Sequence, residues 1–308
     1  MQVLVTGASG AIGAELFPRL ERAGHAVRAF GRDPARIVAA AATEVVRGDA
    51  VSGAGLDAAL AGIDVAFFLI HSMETVLDGT GTFADRDRVA AANFAAAARA
   101  AGVRRVVYLG GLVPADAPAS PHLASRLEVE ETLLDAAPEA VALRASIVIS
   151  ARSRSFRFLV RLVERVPIMP LPAWRDHRTR PIDGRDVMAF LERAGTSDAV
   201  DGPLSLDIAG PDTVTFARLV ERIRDGLLLG RPRIDVPVTM TALGSRVAAA
   251  ITGEDPGLVA PLMGSLTADL LPRDDRAAAL FGVRVHRLDA AIDHALGEWE
   301  AVEELAGR

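Results

Sequence analysis

The stretch Val3-Leu4-Val5-Thr6-Gly7-Ala8-Ser9-Gly10-Ala11-Ile12-Gly13 decides the fold of this chain. Its apolar start predicts a short buried strand, and the residues up to about Ala23 predict a helix directly after the glycines. The three glycines let the backbone turn tightly and come close to a bound group. The first N–H groups and the positive dipole end of the helix then face that group. This strand–glycine–helix order predicts a pyrophosphate-binding turn, although a tight turn without a ligand has the same pattern.

Apolar segments recur after this turn, with helical segments between them. Predicted strands cover residues 25–30, 44–47, 65–70, 105–109 and 141–149, and the plainest predicted helix covers 86–101. Short, continuously apolar strands separated by helices are typical of a parallel sheet that is covered on both faces. We therefore predict an α/β fold, a doubly wound parallel sheet of the Rossmann type.

The pattern changes near residue 150. Residues 152–166 predict a helix, and prolines follow at 167, 170 and 172. Residues 181–229 predict strand, helix, strand and helix, 230–265 is rich in turns, and 288–301 predicts a closing helix. We expect a dinucleotide-binding domain at 1–150 and a smaller C-terminal substrate lobe at 151–308 that partly returns to the sheet.

Composition excludes several classes of protein. The 308 residues are 50% hydrophobic and 24% charged, as in globular proteins, and the net charge of −6 argues against nucleic-acid binding. Cysteine and lysine are both missing, so thiolate, disulfide and Schiff-base chemistry are excluded. The start has no basic n-region, and the apolar run 65–70 is too short for a bilayer. We expect a cytoplasmic protein without a signal peptide or membrane segment.

The residues after the second predicted strand affect the choice between NAD and NADP. The residue that contacts the adenosine ribose lies about 20 positions past the third glycine. We align Gly31 with the usual acidic position, which leaves Arg32 as a bidentate partner for a 2′-phosphate and predicts NADP. Two alternatives stay open: Asp33 is one register step away, and Arg32 fits a solvated loop.

Further motifs follow along the chain: Gly48-Asp49, Leu69-Ile70-His71-Ser72-Met73, Val106-Val107-Tyr108-Leu109-Gly110-Gly111-Leu112, Leu143-Arg144-Ala145-Ser146, Pro181-Ile182 with Arg185-Asp186-Val187, and Gly210-Pro211-Asp212. Together with the glycine turn, they resemble the atypical short-chain dehydrogenases/reductases of the NmrA-like, NAD(P)H-binding branch. The resemblance extends from residue 1 to about 240.

The resemblance implies a set of cofactor contacts. Asp49 is expected to contact the adenine. Leu69, Ile70 and His71 are expected to border the cofactor after the fourth strand. Ala145 and Ser146 are expected near the nicotinamide after the sixth strand. The glycine turn is expected to contribute Gly7, Ser9, Gly10, Ala11, Ile12 and Gly13.

The chain departs from the catalytic motif of this superfamily. Most members carry Tyr-x-x-x-Lys at the start of a long helix, where this chain has His122-Leu123-Ala124-Ser125-Arg126. Ser120 as the N-cap and Pro121 as the first helical residue place His122 in the first turn. Glycines 110 and 111 stand where the superfamily has a serine. Tyr108 lies inside a predicted buried strand, so we do not expect it to substitute.

Two interpretations of this departure stay open. In the first, His122 donates or accepts a proton and Arg126, four residues later on the same helix face, binds the ribose or a substrate oxyanion. His71 is the second candidate for this role. In the other interpretation, the site has lost its chemistry. The helix N-terminus disfavours an imidazolium, so we expect His122 to be mostly neutral.

Arginines recur every four residues in the helix predicted at 152–166. Arg157, Arg161 and Arg165 share one face, with Arg152 and Arg154 just before them. A solvated amphipathic helix is the simpler interpretation. A binding patch for cofactor phosphates, a partner surface or an acidic substrate group is the alternative.

The main hypothesis is an NADP(H)-dependent oxidoreductase of the atypical short-chain type that acts on a carbonyl or quinone-like small molecule. The alternative is a non-catalytic NADP(H)-binding redox sensor or scaffold. A nucleotide-sugar epimerase is disfavoured because it needs the missing Tyr-Lys pair. We expect a small-molecule substrate, no nucleic-acid or membrane partner and no metal, and the sequence is compatible with a homodimer.

Overall fold

The computed structural model describes residues 1–38, 43–71, 82–236, 249–253, 259 and 263–307. The strands are β1 (Gln2–Thr6), β2 (Ala26–Gly31), β3 (Glu44–Arg47), β4 (Val65–Phe68), β5 (Arg105–Gly111), β6 (Val141–Ala145), β7 (Val148–Ile149), β8 (Met169–Leu171), β9 (Arg178–Thr179), β10 (Ile182–Asp183), β11 (Leu204–Ile208), β12 (Val214–Thr215) and β13 (Arg233–Asp235). The helices are α1 (Ala11–Arg22), α2 (Leu56–Leu60), α3 (Phe83–Ala100), α4 (Pro121–Leu134), α5 (Arg154–Arg165), α6 (Gly184–Thr196), α7 (Phe216–Gly226), α8 (Arg276–Phe281) and α9 (Leu288–Glu300).

Seven strands form one parallel sheet in the order β11-β6-β5-β4-β1-β2-β3. The chain proceeds outward from β1 in one direction through β2 and β3, and in the other direction from β4 to β11. The strand order therefore reverses between β1 and β4. In open α/β sheets, this reversal leaves a crevice at the carboxyl ends of the strands, where ligands bind. The predicted doubly wound fold is confirmed.

Adjacent residues of β4 pack on opposite faces of the sheet. Phe67 belongs to the cluster that contains Leu16 and Phe17 of α1, whereas Phe68 belongs to the cluster that contains Phe94 of α3. This alternation follows from the two-residue period of a strand. Both faces are covered, which explains why β4 is apolar at every position.

The C-terminal half adds a strand to the sheet and builds a core of its own. Strand β11 pairs with β6, with Leu204 opposite Val141. Helices α5, α7 and α9 pack together around Phe156 and Trp299. The boundary at residue 150 between a domain and a lobe stays a prediction.

Two predicted strands end earlier than their apolar runs. The run 65–70 is a strand only to Phe68, because the N–H of Leu69 donates to the hydroxyl of Thr6 instead of continuing the ladder. The run 141–149 divides into β6 and β7, and β7 leaves the large sheet to pair with β10. Most of the turn-rich segment predicted at 230–265 lies outside the described residues, as do Ser72 and Met73. Among the described residues, no helix has the length and apolar character that crossing a membrane requires.

Candidate functional site

A cavity of about 1550 Å³ opens at the carboxyl ends of the central strands. Residues that follow β1, β2, β4, β5 and β6 line it, as does the first turn of α4. Its lining contains all of the residues that the sequence singled out for the site, and their individual roles stay predictions. They are Gly7, Ser9, Gly10, Ala11, Ile12, Gly13, Arg32, Asp49, Leu69, Ile70, His71, His122, Arg126, Ala145 and Ser146.

The glycine turn leaves the start of α1 open to an anion. Gly10 is the N-cap of α1, and because it has no side chain it leaves the first helical N–H groups uncapped. Gly7 has φ +66°, and a Cβ there would lie 2.6 Å from the carbonyl oxygen of Leu69. A Cβ at Gly13 would lie 2.3 Å from the carbonyl oxygen of Gly7. The glycines keep this turn tight, and its uncapped N–H donors suit a phosphate group.

In the loop after β2, the acidic residue makes a backbone hydrogen bond, whereas the basic residues line the cavity. The carboxylate of Asp33 accepts a hydrogen bond from the N–H of Ala35 at 3.1 Å and caps the 3₁₀ turn Pro34–Arg36. Arg32 and Arg36 line the cavity. Arg36 was not predicted as a site residue, although it lies four positions after Arg32 in the sequence.

His71 forms a pair with an acidic residue of α3. Its Nδ1 donates to Asp87 Oδ2 at 2.7 Å, and Asp87 is only 4% exposed. Burial and the charge of Arg126 lower the pKa of His71, whereas the hydrogen bond to Asp87 and the charge of Asp87 oppose this shift. Asp87 was not predicted as a site residue, although a carboxylate on the buried face of an alanine-rich helix indicates a buried partner.

His122 packs against His71, with ring centroids 5.2 Å apart. The Ser120 side chain accepts from the N–H of Leu123, which confirms the predicted N-cap of α4. Burial first, then the charges of His71 and Arg126, lower the pKa of His122 to about 4. His122 is therefore neutral near pH 7, as expected, but burial rather than the helix end is the main cause.

Arg126 lies over the Tyr108 ring, with its guanidinium carbon 4.8 Å from the ring centroid. Its Nη2 donates to the carbonyl oxygen of Leu109. Its Nη1 is buried and has no hydrogen-bond partner within the described part of the chain. Tyr108 is 1% exposed and donates to the carbonyl oxygen of Arg126, and burial raises its pKa. Tyr108 therefore does not replace the missing tyrosine.

The arginines of α5 do not form a simple solvated face. The guanidinium carbons of Arg157 and Arg161 lie 4.2 Å and 4.7 Å from the centroid of the Trp299 ring. Arg161 is also paired with Glu164, and its side chain is only 12% exposed. The solvated interpretation is wrong at Arg161, because α9 packs on this face and places Trp299 there. Across the described ranges, no group of three or more histidine and carboxylate side chains is placed to hold a metal ion.

The sheet, the uncapped glycine turn and the cavity define a dinucleotide-binding protein of the Rossmann class. A family model described as NAD(P)H-binding matches residues 7–148. The (4-alkanoyl-5-oxo-2,5-dihydrofuran-3-yl)methyl phosphate reductase of Streptomyces griseus subsp. griseus is 31% identical over 247 residues, 78% of this chain and 80% of that protein. The 3-beta-hydroxysteroid dehydrogenase of Mycolicibacterium neoaurum is 36% identical over 113 residues, 35% of this chain and 31% of that protein.

Solved structures show the same fold. The NADPH-dependent quinone oxidoreductase of Escherichia coli complexed with NADPH has a TM-score of 0.73 at 22% identity, covering 96% of this chain and 99% of that chain. MoeE5 in complex with UDP-glucose and NAD has a TM-score of 0.72 at 21% identity, covering 98% and 99%. The chain belongs to the atypical short-chain dehydrogenase/reductase family and is an NAD(P)H-binding oxidoreductase of that type.

Proposed function

We propose that the protein is an NADP(H)-dependent reductase of a carbonyl or quinone-like small molecule, with the His71–His122 pair as its proton source. The observation that carries this proposal is the hydrogen bond between His71 and Asp87 inside the cavity that the glycine turn opens into. A buried carboxylate that orients a histidine is a common arrangement in acid–base catalysis.

Two arginines support NADP over NAD. Arg32 and Arg36 line the cavity where the adenosine ribose of a dinucleotide lies in this fold. Asp33, which would repel a 2′-phosphate, has its carboxylate engaged by the N–H of Ala35. Guanidinium groups bind phosphate in a bidentate manner, so these two residues fit a 2′-phosphate.

The cofactor, when bound, supplies a hydride to the carbon of the substrate carbonyl. The protein has to stabilise the oxyanion that develops and then deliver one proton to it. Arg126 suits the first role because its buried Nη1 lacks a partner among the described residues. Because His71 donates through Nδ1 to Asp87, Nε2 carries the second proton when the ring is an imidazolium, and the transfer of that proton to the oxygen leaves a neutral ring with its Nδ1–H still on Asp87.

The Streptomyces relative supports reduction, since its name states a reductase whose substrate carries alkanoyl and oxo groups. The Escherichia coli structure, an NADPH-dependent quinone oxidoreductase, supports NADPH as the cofactor and a quinone as a substrate on this fold. Nucleotide-sugar epimerisation stays disfavoured, because the chain has no lysine. A cytoplasmic location and a homodimer stay expectations from the sequence.

The test measures NADPH oxidation against a panel of quinones, aldehydes, ketones and unsaturated lactones, together with the dissociation constants of NADPH and NADH. We expect turnover of at least one compound and a dissociation constant for NADPH at least tenfold below that for NADH. Tight NADPH binding without turnover across the panel would reject the reductase and favour the redox sensor. Equal or tighter binding of NADH would reject NADP.

A further inference from the structure

Two hydroxyl groups meet at the wall of the cavity. The side-chain oxygens of Ser146 and Thr179 lie 2.7 Å apart, and Thr179 is fully buried on β9. Ser146 is 9% exposed and lines the cavity, whereas Thr179 does not line it. Within the described ranges, neither hydroxyl has another hydrogen-bond partner. The two groups therefore have to share one hydrogen bond between them.

The burial of Thr179 determines which hydroxyl donates. If Ser146 donated, the O–H of Thr179 would be enclosed by the protein without an acceptor, which is unfavourable. If Thr179 donates, both hydroxyls are satisfied, because the O–H of Ser146 is then available to a ligand or a water in the cavity. Thr179 thus orients Ser146 as a hydrogen-bond donor towards the cavity.

Ser146 lies at about the same level as Arg126. Two residues before Ser146, Arg144 of β6 donates from Nε to Glu130 of α4 at 2.8 Å. Because α4 connects the parallel strands β5 and β6, it runs antiparallel to both. From the Arg144–Glu130 pair, Ser146 lies about 7 Å further towards the carboxyl edge of the sheet. Arg126, one helical turn before Glu130, lies about 6 Å from the pair in the same direction.

The end of the neighbouring strand β5 has little room for a side chain. Gly111 lies opposite the residue before Ser146 in the ladder. A Cβ at Gly111 would lie 3.1 Å from the side chain of Leu123, and a Cβ at Gly110 would lie 3.0 Å from the ring of Tyr108. Ser146, one strand further along, therefore provides a hydroxyl beside these glycines.

We propose that Ser146 is a catalytic residue that donates a hydrogen bond to the substrate oxygen stabilised by Arg126, and that Thr179 positions it. This inference rests on the proposed function, because it takes that oxygen to be the one that becomes an oxyanion when the cofactor delivers its hydride. Ser146 keeps its proton, and the proton that completes the alcohol comes from the histidine pair. Because the donor is already oriented, its hydrogen bond strengthens as negative charge develops, so it raises kcat more than it tightens substrate binding.

The kinetic test compares Ser146→Ala, Thr179→Val and their combination, with the compound of the panel that turns over fastest. Ser146→Ala should lower kcat by about 10- to 100-fold, the loss of one hydrogen bond to a charged oxygen, and change KM less than twofold. Thr179→Val keeps the shape of the side chain without the donor and should lower kcat by about threefold to tenfold. Thr179→Ser, which keeps the hydroxyl, should restore kcat.

The combined variant separates a positioning role of Thr179 from a structural one. In the Ser146→Ala protein, Thr179→Val should cause no further loss of kcat, because Thr179 acts only through Ser146. Losses that multiply in the combined variant would overturn the positioning role, and unchanged kcat in Ser146→Ala would overturn the proposal.

Two control variants make the same exchanges elsewhere. Ser155→Ala changes another serine that lines the cavity, on α5, and Thr196→Val changes a threonine at the end of α6 that does not line it. Both should keep kcat within twofold of the unchanged protein. A loss in Ser155→Ala as large as that in Ser146→Ala would contradict a specific role of Ser146.

A second test measures binding instead of turnover, with 4-nitrophenol as the probe for the oxyanion. The protein is saturated with NADP⁺, or with NAD⁺ if NADH proves to be the cofactor, and the absorbance of the probe reports the bound phenolate. Ser146→Ala should weaken phenolate binding by about tenfold and keep the affinity for the oxidised cofactor within twofold.

Three results of this titration would overturn the proposal: no binding of the probe, equal phenolate affinity in Ser146→Ala, or a matching loss of cofactor affinity. The last result would assign the hydroxyl to the nicotinamide carboxamide. If no compound of the panel turns over, the proposed function fails, but the titration still decides whether Ser146 donates to a bound oxyanion.

Discussion

His71 Nδ1 lies 2.7 Å from Asp87 Oδ2, and the carboxylate that accepts this bond is almost fully buried on α3. The bond fixes which ring nitrogen of His71 carries the proton, because a carboxylate accepts only from N–H. It also opposes the burial and the Arg126 charge that lower the pKa of His71. Asp87 thus keeps His71 oriented and more basic than its surroundings alone would allow.

Asp87→Asn removes this charge and is expected to lower kcat by about 10- to 100-fold, the usual cost of losing an orienting carboxylate. Asp87 raises the pKa of His71, so its removal lowers that pKa further. Because the proposed proton donor is the imidazolium of His71, the fall of kcat with rising pH should then begin at a lower pH. The kcat–pH profile checks this directly.

The control for Asp87→Asn is Glu128→Gln, which changes an exposed carboxylate on the neighbouring helix α4. It should leave kcat and the pH profile unchanged. An Asp87→Asn variant with lower kcat but an unshifted profile would indicate a structural role for Asp87 and contradict the proton-donor role of His71.

Substitutions at the two ends of the His122–Arg126 pair should have different kinetic effects. His122→Ala is expected to lower kcat by about 10²- to 10⁴-fold, with NADPH binding nearly unchanged, if the imidazole takes part in proton transfer. Arg126→Ala should lower kcat as well, because the developing oxyanion loses a fixed cation, and it should also weaken cofactor or substrate binding. Steady-state kinetics and NADPH titration separate these effects. Unchanged turnover in His122→Ala would leave His71 as the proton donor.

Local sequence features predicted the glycine turn and the N-cap of α4, because each depends on residues a few positions apart. The Asp87–His71 pair joins residues 16 positions apart, and only the packing of α3 beside β4 brings them together. The contact of Trp299 with Arg161 depends on the position of α9, and the two residues are 138 positions apart in the sequence. A local sequence pattern does not predict contacts between residues so far apart. For this reason the sequence favoured a solvated face for α5.

The choice of cofactor should depend on the two arginines after β2. Arg32→Ala combined with Arg36→Ala is expected to raise the dissociation constant of NADPH by about 10- to 100-fold, because two charge-assisted contacts to the 2′-phosphate are lost. Binding of NADH, which lacks that phosphate, should change less than twofold. Fluorescence titration with both cofactors checks this. Arg22→Ala, an exposed arginine at the end of α1, is the control. An equal loss of affinity for NADPH and NADH would show that the two arginines contact a part of the dinucleotide other than the 2′-phosphate.

The half-buried histidine pair should also make the stability of the fold depend on pH. The folded protein holds the pKa of His122 at about 4, against about 6.5 in an unfolded chain. The unfolded chain therefore binds more protons between these values, so the free energy of unfolding is complete above about pH 6.5 and falls as the pH drops towards 4. His122 alone accounts for up to about 3 kcal/mol of this loss.

Denaturant unfolding at several pH values tests this dependence. His122→Asn, which cannot take up a proton, should show a shallower decrease in the free energy of unfolding between about pH 6.5 and pH 4 than the unchanged protein. His294→Asn, on α9 and away from the cavity, is the matched control for the exchange of a histidine for asparagine. Parallel curves for His122→Asn and the unchanged protein would show that the His122 ring takes up its proton at the same pH whether the chain is folded or not. In that case the imidazole is solvated rather than packed against His71, and the His71–His122 pair proposed as the proton source is not formed.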